Sequence, residues 1–320
     1  MTVAVPGRAN LIGEHIDYHG LPVLPVALRR AIRVRFEPRG DDQIIATSSQ
    51  YGSRSFCWTP HLTPVALGDW ENYMRAAAEA VAGKWGAGRG IDAVVESDLP
   101  PAAGLSSSSA LMIAFTLALL RANGIEATFH ELMEILPEGE QFVGTRGGAM
   151  DHAAILGSRE GCASLISFDP VRIRHVAIPP EWVFLVVDSG QRAEKSGAVR
   201  ERYNSIRTGV KQEIFEHVTT EAFRVHEAVA ALEQNNPRRF GQLLLDGHAS
   251  LRDRLQVSTP ELDRLVDAAM ASGALGARLT GAGFGGCAVV LCLRRDVEKV
   301  RAGLHPAPII DDVQRDAVNS

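Results

Sequence analysis

The sequence has no Cys-x-x-Cys pair, no long hydrophobic run and no excess of positive charge. Its four cysteines, Cys57, Cys162, Cys287 and Cys292, are scattered over 320 residues. They read as reduced core residues, not as a disulfide framework or a zinc site. The longest apolar stretch, Ala110 to Leu120 broken by Thr116, falls well short of the roughly 20 residues that cross a bilayer. The opening residues, MTVAVPGRAN, carry neither the charged nor the apolar region of a signal peptide. Lys and Arg total 33 against 38 acidic residues, a formal net charge of −5, where a nucleic-acid partner would normally go with a basic excess. No G-x-x-x-x-G-K-[ST] occurs, which removes the P-loop class. The expectation is a cytoplasmic, core-forming chain, a monomer or weak homo-oligomer with no nucleic acid and no membrane partner.

What is present is the composition of an ordinary folded protein, 46% hydrophobic and 22% charged. The length is about twice a typical domain of roughly 150 residues, so two domains are expected. Pro179-Pro180 is the best linker signal and divides the chain into 1–178 and 179–320. Strands are expected at Val3–Val5, Val23–Leu28, Ala31–Phe36, Ile44–Ser48, Ile91–Glu96, Leu165–Phe168, Arg174–Ile178, Trp182–Asp188, Gly276–Leu279 and Cys287–Leu293. Helical spacing marks Asp69–Val81. Ala110–Asn123, apolar on all sides, reads as a core helix. Two or three polar helices are expected through about 194–270, interrupted at Asn235-Asn236-Pro237 and Ser258-Thr259-Pro260, and a last one at Val297–Gly303. The mixture is α/β or α+β.

Three stretches carry chemistry. In Leu99-Pro-Pro-Ala-Ala-Gly104-Leu-Ser-Ser-Ser-Ser109, small hydroxyl-bearing residues open straight into the apolar helix. Such a loop suits an anion through backbone N–H groups and the helix N-terminus, and its hydroxyls suit phosphate or Mg²⁺; the plainer alternative is a Ser-rich turn with one Ser as N-cap. Gly281-Ala-Gly283-Phe-Gly285-Gly286 satisfies G-x-G-x-x-G, but an apolar strand follows it where a dinucleotide fold needs a helix. A glycine loop between strands still permits close approach to another loop or to a phosphate. In Gly7-Arg8-Ala-Asn10-Leu-Ile-Gly13-Glu14-His15-Ile-Asp17-Tyr18-His19-Gly20, polar groups crowd between two apolar strands. Glu14, His15, Asp17 and His19 form a metal-like cluster with no supporting ligand motif elsewhere. The same donors and acceptors suit a polyhydroxylated ligand better.

Together, in chain order, the Gly7–Gly20, Leu99–Ser109 and Gly281–Gly286 motifs resemble those of the GHMP kinases, and the Gly7–Gly20 motif is of the galactokinase branch. The resemblance spans nearly the whole chain. It implies an α+β fold of two domains, a ribosomal-protein-S5-like N-terminal one and a ferredoxin-like C-terminal one, with ATP and sugar in the cleft between them. It further implies that Gly104, Leu105, Ser106, Ser107 and Ser108 cradle the triphosphate, with Ser108 at Mg²⁺, and that Gly281, Gly283 and Gly285 lie by the phosphates. A fourth match, Glu140-Gln-Phe-Val-Gly-Thr-Arg-Gly-Gly-Ala-Met-Asp151, implies Asp151 as the catalytic carboxylate with Arg8 as its partner. Taken alone, Asp151 reads as a helix N-terminal carboxylate and Arg8 as half of a surface ion pair. Glu14, His15, Asp17, Gly148 and Tyr203 fall at the family's sugar-contacting positions; Tyr203 has looser spacing and also reads as a surface helix tyrosine.

There are departures from the family pattern. Gly147-Gly-Ala-Met-Asp-His resembles the N-acetylgalactosamine kinase and fungal galactokinase version, with His152 replacing Gln. Ala102 and Ala103 replace glycines, which is expected to stiffen the phosphate loop. The sequence begins six residues before Gly7, so the family's usual N-terminal extension is expected to be missing from the outer wall of the sugar pocket. The implied activity is ATP-dependent phosphorylation of galactose to galactose 1-phosphate. The rivals are a kinase for N-acetylgalactosamine or L-arabinose and a non-catalytic sugar sensor.

Overall fold

The computed structural model describes residues 1–142, 149–193, 197–209 and 211–313. Nine α-helices and eleven strands form among the described residues, and they cluster into two compact units. Unit 1 comprises Met1–Gly7, Arg30–Leu99 and Ser106–Leu156; unit 2 comprises Arg8–Arg29, Pro100–Leu105 and Gly157–Ser320. This partition is not a single cut at 178/179: residues 8–29, 100–105 and 157–178 cluster with the C-terminal half.

Unit 1 is built on a five-stranded sheet in the order β1-β2-β5-β3-β4, from β1 (Thr2–Asn10), β2 (Pro25–Pro38), β3 (Gln43–Ser48), β4 (Gly52–Cys57) and β5 (Ile91–Ser97). The period-2 pattern explains its faces. On β2, Val34 and Phe36 are buried while Arg33 and Arg35 face water. On β5, Ile91, Ala93 and Val95 are buried and Glu96 pairs with Arg35 across the strands. Two separate strands were expected at Val23–Leu28 and Ala31–Phe36; a single β2 runs through Arg29-Arg30, where extended backbone continues although the charges interrupt the apolar pattern. The helices are α1 (Glu71–Trp85), α2 (Ser107–Ala122), α3 (Phe129–Phe142) and α4 (Met150–Leu156). As its apolar circumference demands, α2 is buried on nearly all sides, Thr116 included, and contacts α1, α3 and α4.

Unit 2 carries β6 (Cys162–Ser167) and β7 (Arg172–Ala177) as an antiparallel pair, then β8 (Trp182–Asp188) in a four-stranded sheet ordered β11-β8-β10-β9. The other members are β9 (Gly276–Leu279), β10 (Cys287–Leu293) and β11 (Ile309–Val313). Since β8 is apolar at successive positions, both its faces must be covered. Trp182 and Phe184 pack edge-on against Phe240, each with centroids 5.5 Å from it. Val183, Leu185 and Val187 enter a cluster with Leu262, Val266 and Val300. Four helices lie between β8 and β9, where two or three were expected: α5 (Gly197–Thr208), α6 (Gln212–Glu233), α7 (Pro237–Asp253) and α8 (Pro260–Ala271); α9 (Val297–Leu304) follows β10. The expected interruptions are caps. Asn236 accepts from the Arg239 N–H at 3.1 Å, with Pro237 in the first turn, and Thr259 and Pro260 repeat the arrangement for α8. Asn236→Ala is expected to cost about 1 kcal/mol of stability, read by denaturant unfolding.

Of the four cysteines only Cys287 and Cys292 are core residues; Cys57, on a strand whose side chains largely face water, is exposed, and Cys162 is intermediate. No described helix is long and apolar enough to cross a membrane.

Candidate active site

In unit 1 the site residues lie at the start of α2 and α4. The chain enters α2 through alternating left-handed residues: Ala102 at φ 55°, Gly104 at 75° and Ser106 at 58°. Alternating positive φ is the backbone pattern of anion-binding concavities, and α2 adds the field of its first turn. Ala102 is thus held in a conformation that costs an L-residue about 1–2 kcal/mol. Ser106 is the N-cap by position but makes no side-chain cap bond, and its buried Oγ has no hydrogen-bond partner among the described residues. Ser107 and Ser108 are half-buried on the first turn of α2. Asp151 is in the first turn of α4, where Ser109 Oγ donates to its Oδ2 at 3.5 Å. Ser109 was not among the expected site residues. Gly148 lies outside the described residues.

In unit 2 the three motifs meet. Arg8 Nη1 donates to the Gly104 carbonyl at 2.6 Å, and the Arg8 N–H donates to the Leu105 carbonyl at 3.2 Å. The glycine turn lies against the other side of this loop. A Cβ on Gly281 would sit 2.7 Å from the Gly104 carbonyl oxygen, and one on Gly286 2.7 Å from that of Ala103. The Cys287 N–H donates to the Ala103 carbonyl at 3.2 Å. Backbone therefore packs on backbone, which only glycine permits at those two positions. The end of β1 is tied to the end of β9 by Thr280: its Oγ1 accepts from the Asn10 N–H and donates to the Asn10 carbonyl, both at 2.9 Å.

The expected sugar-contacting residues divide into two sets. His15, in the left-handed region at φ 62°, has both ring nitrogens engaged. Nε2 donates to the Ala282 carbonyl at 3.1 Å and Nδ1 meets the Tyr18 hydroxyl at 2.8 Å. The Tyr203 ring lies 5.7 Å from His15, which brings that tyrosine to the motif. Arg207 stands 5.5 Å over the Tyr18 ring. Asp17 begins a single 3₁₀ turn, Asp17–His19, and is half-buried.

Glu14 is different: it is 1% exposed and its carboxylate faces protein. Oε2 accepts from Arg278 Nη2 at 2.5 Å, and Oε1 from the Gly281 N–H at 3.4 Å. Arg278 also pairs with Glu221, which takes the Gly13 N–H and Arg224 Nε, each at 2.8 Å. Burial pushes Glu14 up to about 7 against the pull of Arg278, and the neighbouring Glu221 adds to the rise. Burial opposes ionisation of Glu221 as well, but Arg278 above all holds it at about 2. Burial lowers His217, whose Nε2 donates to the Glu14 carbonyl at 3.0 Å. Arg278, Glu221, Arg224 and His217 were not anticipated. One signal was there: an arginine inside the apolar strand Gly276–Leu279 requires buried counter-charges.

These shifts have a measurable sign. With its pKa raised from 4.5 to about 7, Glu14 gives the folded state a contribution that is fully present below the unfolded value and lost as pH rises through 7. From about pH 5 to about pH 8 the Tm of the wild type should therefore fall relative to Glu14→Gln. Equal pH dependence in the two proteins would contradict that.

Comparison with known proteins gives the same family from three directions. The galactokinase galactose-binding signature matches residues 1–38, the GHMP kinases N terminal domain residues 72–158 and the GHMP kinases C terminal model residues 228–308. The galactokinase of Roseiflexus sp. (strain RS-1) is 35% identical, aligned over 95% of this chain and 86% of its own. That of Streptomyces coelicolor is 33% identical over 95% and 87%. Lactococcus lactis galactokinase complexed with galactose superposes with a TM-score of 0.89 at 23% identity, covering 98% of this chain and 94% of that one. The Methanococcus jannaschii mevalonate kinase does so at 0.80 and 22%, covering 98% of each. At those identities the structural likeness speaks to the fold; the relatives at 33% and 35% speak to the family. The chain belongs to the galactokinase family of the GHMP kinases.

Proposed function

We propose that this chain transfers the γ-phosphoryl group of ATP to the C1 hydroxyl of galactose, giving galactose 1-phosphate and ADP. The observation that carries the reading is the bond from Arg8 to Gly104, which joins the polyhydroxyl-binding motif to the loop shaped for an anion. The family division at 178/179 belongs to the same reading, since the two domain matches, 72–158 and 228–308, fall on either side of it.

A sugar hydroxyl is a poor nucleophile at neutral pH, and a triphosphate repels incoming negative charge. Asp151 takes the hydroxyl proton as the oxygen–phosphorus bond forms. Arg8 offsets charge on the group in transfer, and the first turn of α2 adds its partial positive charge. Gly104 to Ser108 cradle the phosphates, with the backbone of Gly281, Gly283 and Gly285 beside them. Asp17 and Tyr203 face the sugar; His15 and Glu14 shape its pocket through the turn that they hold.

No group of three His, Cys, Asp or Glu side chains gathers for a metal among the described residues. Mg²⁺ does not need one, because it keeps water ligands and is carried by substrate phosphates with one or two protein oxygens. The orphaned Ser106 Oγ and the adjoining Ser107 and Ser108 hydroxyls fit that donor set. Ser108 would hold the ion, which when bound neutralises phosphate charge.

ADP release over a panel of sugars with Mg-ATP tests the reading. Galactose should turn over fastest. Faster turnover of N-acetylgalactosamine or L-arabinose reassigns the sugar, and galactose turning over no better than glucose or mevalonate overturns the proposal.

A further inference from the structure

We propose that Arg278 is a positioning residue for sugar phosphorylation: its buried guanidinium clamps the sugar-motif turn to the glycine turn and so sets the sugar pocket. The proposal rests on the galactokinase reading above and deepens it.

Arg278 is fully buried on β9, three residues before Gly281. It bridges two carboxylates from distant parts of the chain, Glu14 of the sugar motif and Glu221 of α6. Each carboxylate also accepts a backbone N–H from one of the turns concerned: Glu221 that of Gly13, Glu14 that of Gly281. The Glu14 backbone is fixed separately by His217, which Ser250 orients from α7 at 2.9 Å. His15, next in sequence, reaches Ala282 within the glycine turn. Displacing the guanidinium therefore moves both turns at once.

Two further observations say that the fold makes room for this group. Gly247 of α7 is placed so that a Cβ there would occupy the space of Arg278 Nη1, with Glu221 Oε2 3.3 Å away. Arg278 Nε and Nη1 make no hydrogen bond among the described residues, an expensive arrangement for a buried cation. Replacing a buried ion pair by uncharged groups of similar volume is often neutral for stability or better. Stability alone therefore does not account for the cluster, whereas register between two substrate-facing turns does.

The charge-balanced double variant Glu14→Gln/Arg278→Met tests this, because it removes one opposite pair and leaves Glu221 with Arg224. The expected result is a folded protein whose KM for galactose rises about tenfold or more and whose kcat/KM falls about 100-fold, the scale of a misplacement of about 1 Å. A purely structural role would lower the folded fraction, and with it apparent kcat, but would leave KM unchanged. Arg278→Lys keeps a charge but not the planar guanidinium, whose Nη2 meets both carboxylates, and should recover part of the loss. A folded double variant with a galactose KM within about twofold of wild type overturns the proposal. If the double variant does not fold, Arg278→Lys decides: an unchanged galactose KM overturns it and a rise of several-fold supports it. Wild-type turnover is measured alongside. Its absence with galactose removes the sugar reading and this proposal together, whereas normal wild-type turnover with an indifferent variant removes only the role of Arg278.

Discussion

Asp151→Asn is expected to lose about 100- to 10,000-fold in turnover while ATP still binds, the range for removal of a general base. The substitution keeps the shape of the side chain and the Oδ that accepts from Ser109, but not the basicity needed to take a hydroxyl proton. Asp151 stands in the first turn of α4, a helix of seven residues. Loss of its charge there should cost no more than about 1 kcal/mol of stability. Turnover by ADP release, ATP affinity by calorimetry and Tm separate the effects. Near-normal turnover would remove Asp151 from the reaction; loss of ATP binding along with turnover would place it in nucleotide binding instead.

Gly283→Ala should be the most damaging single methyl group in the glycine turn. Gly283 has φ 79°, and an added Cβ would collide with the Val257 carbonyl oxygen, which already accepts the Phe284 N–H at 2.7 Å. Neither atom can swing aside, because both belong to the backbone. Left-handed strain of about 1–2 kcal/mol adds to an overpacking cost of about 1–3 kcal/mol. The expected total, about 2–5 kcal/mol, lowers Tm by many degrees in thermal unfolding and weakens ATP binding in the folded fraction. An unchanged Tm would show that the turn is free to shift away from Val257. Gly40, where a Cβ meets nothing within 4 Å, supplies the control: Gly40→Ala should be nearly silent.

Much of this architecture was legible because burial imposes a pattern. The strand β8 has six buried residues in a row, β5 alternates from Ile91 to Glu96, and α2 declares itself as core. Other elements hide their burial. In β4 only Phe56 is buried, so Gly-Ser-Arg-Ser-Phe-Cys offers no alternation to detect. The helix α3 contains Pro137, a residue that argues against the helix interior it occupies. No strand was expected at β11: Ile309 and Ile310 are only partly buried, while Asp311 is buried because it accepts the Arg29 N–H at 2.8 Å. At the site, the motifs exposed the expected site residues but not the buried ones that hold them. Glu221 and Arg224 lie on a helix that leaves Phe215 and Phe223 in water, so its polar residues look like the solvated side. Their burial depends on Arg278, 54 or more positions away in sequence, and no local pattern encodes such a partner.

The interleaved units also set an order of events during synthesis. Every residue of unit 1 is available once Leu156 has left the ribosome. The segment Arg8–Arg29, made early, belongs to unit 2 and must wait for Thr280, Arg278 and Asp311. At about 5–20 residues per second that wait lasts roughly 10 to 60 seconds. Throughout it Leu11, Ile12, Ile16, Val23 and Leu24, all fully buried in the finished protein, have no completed core to enter. The segment within the galactose-binding signature is thus the part of the nascent chain that waits longest for its core.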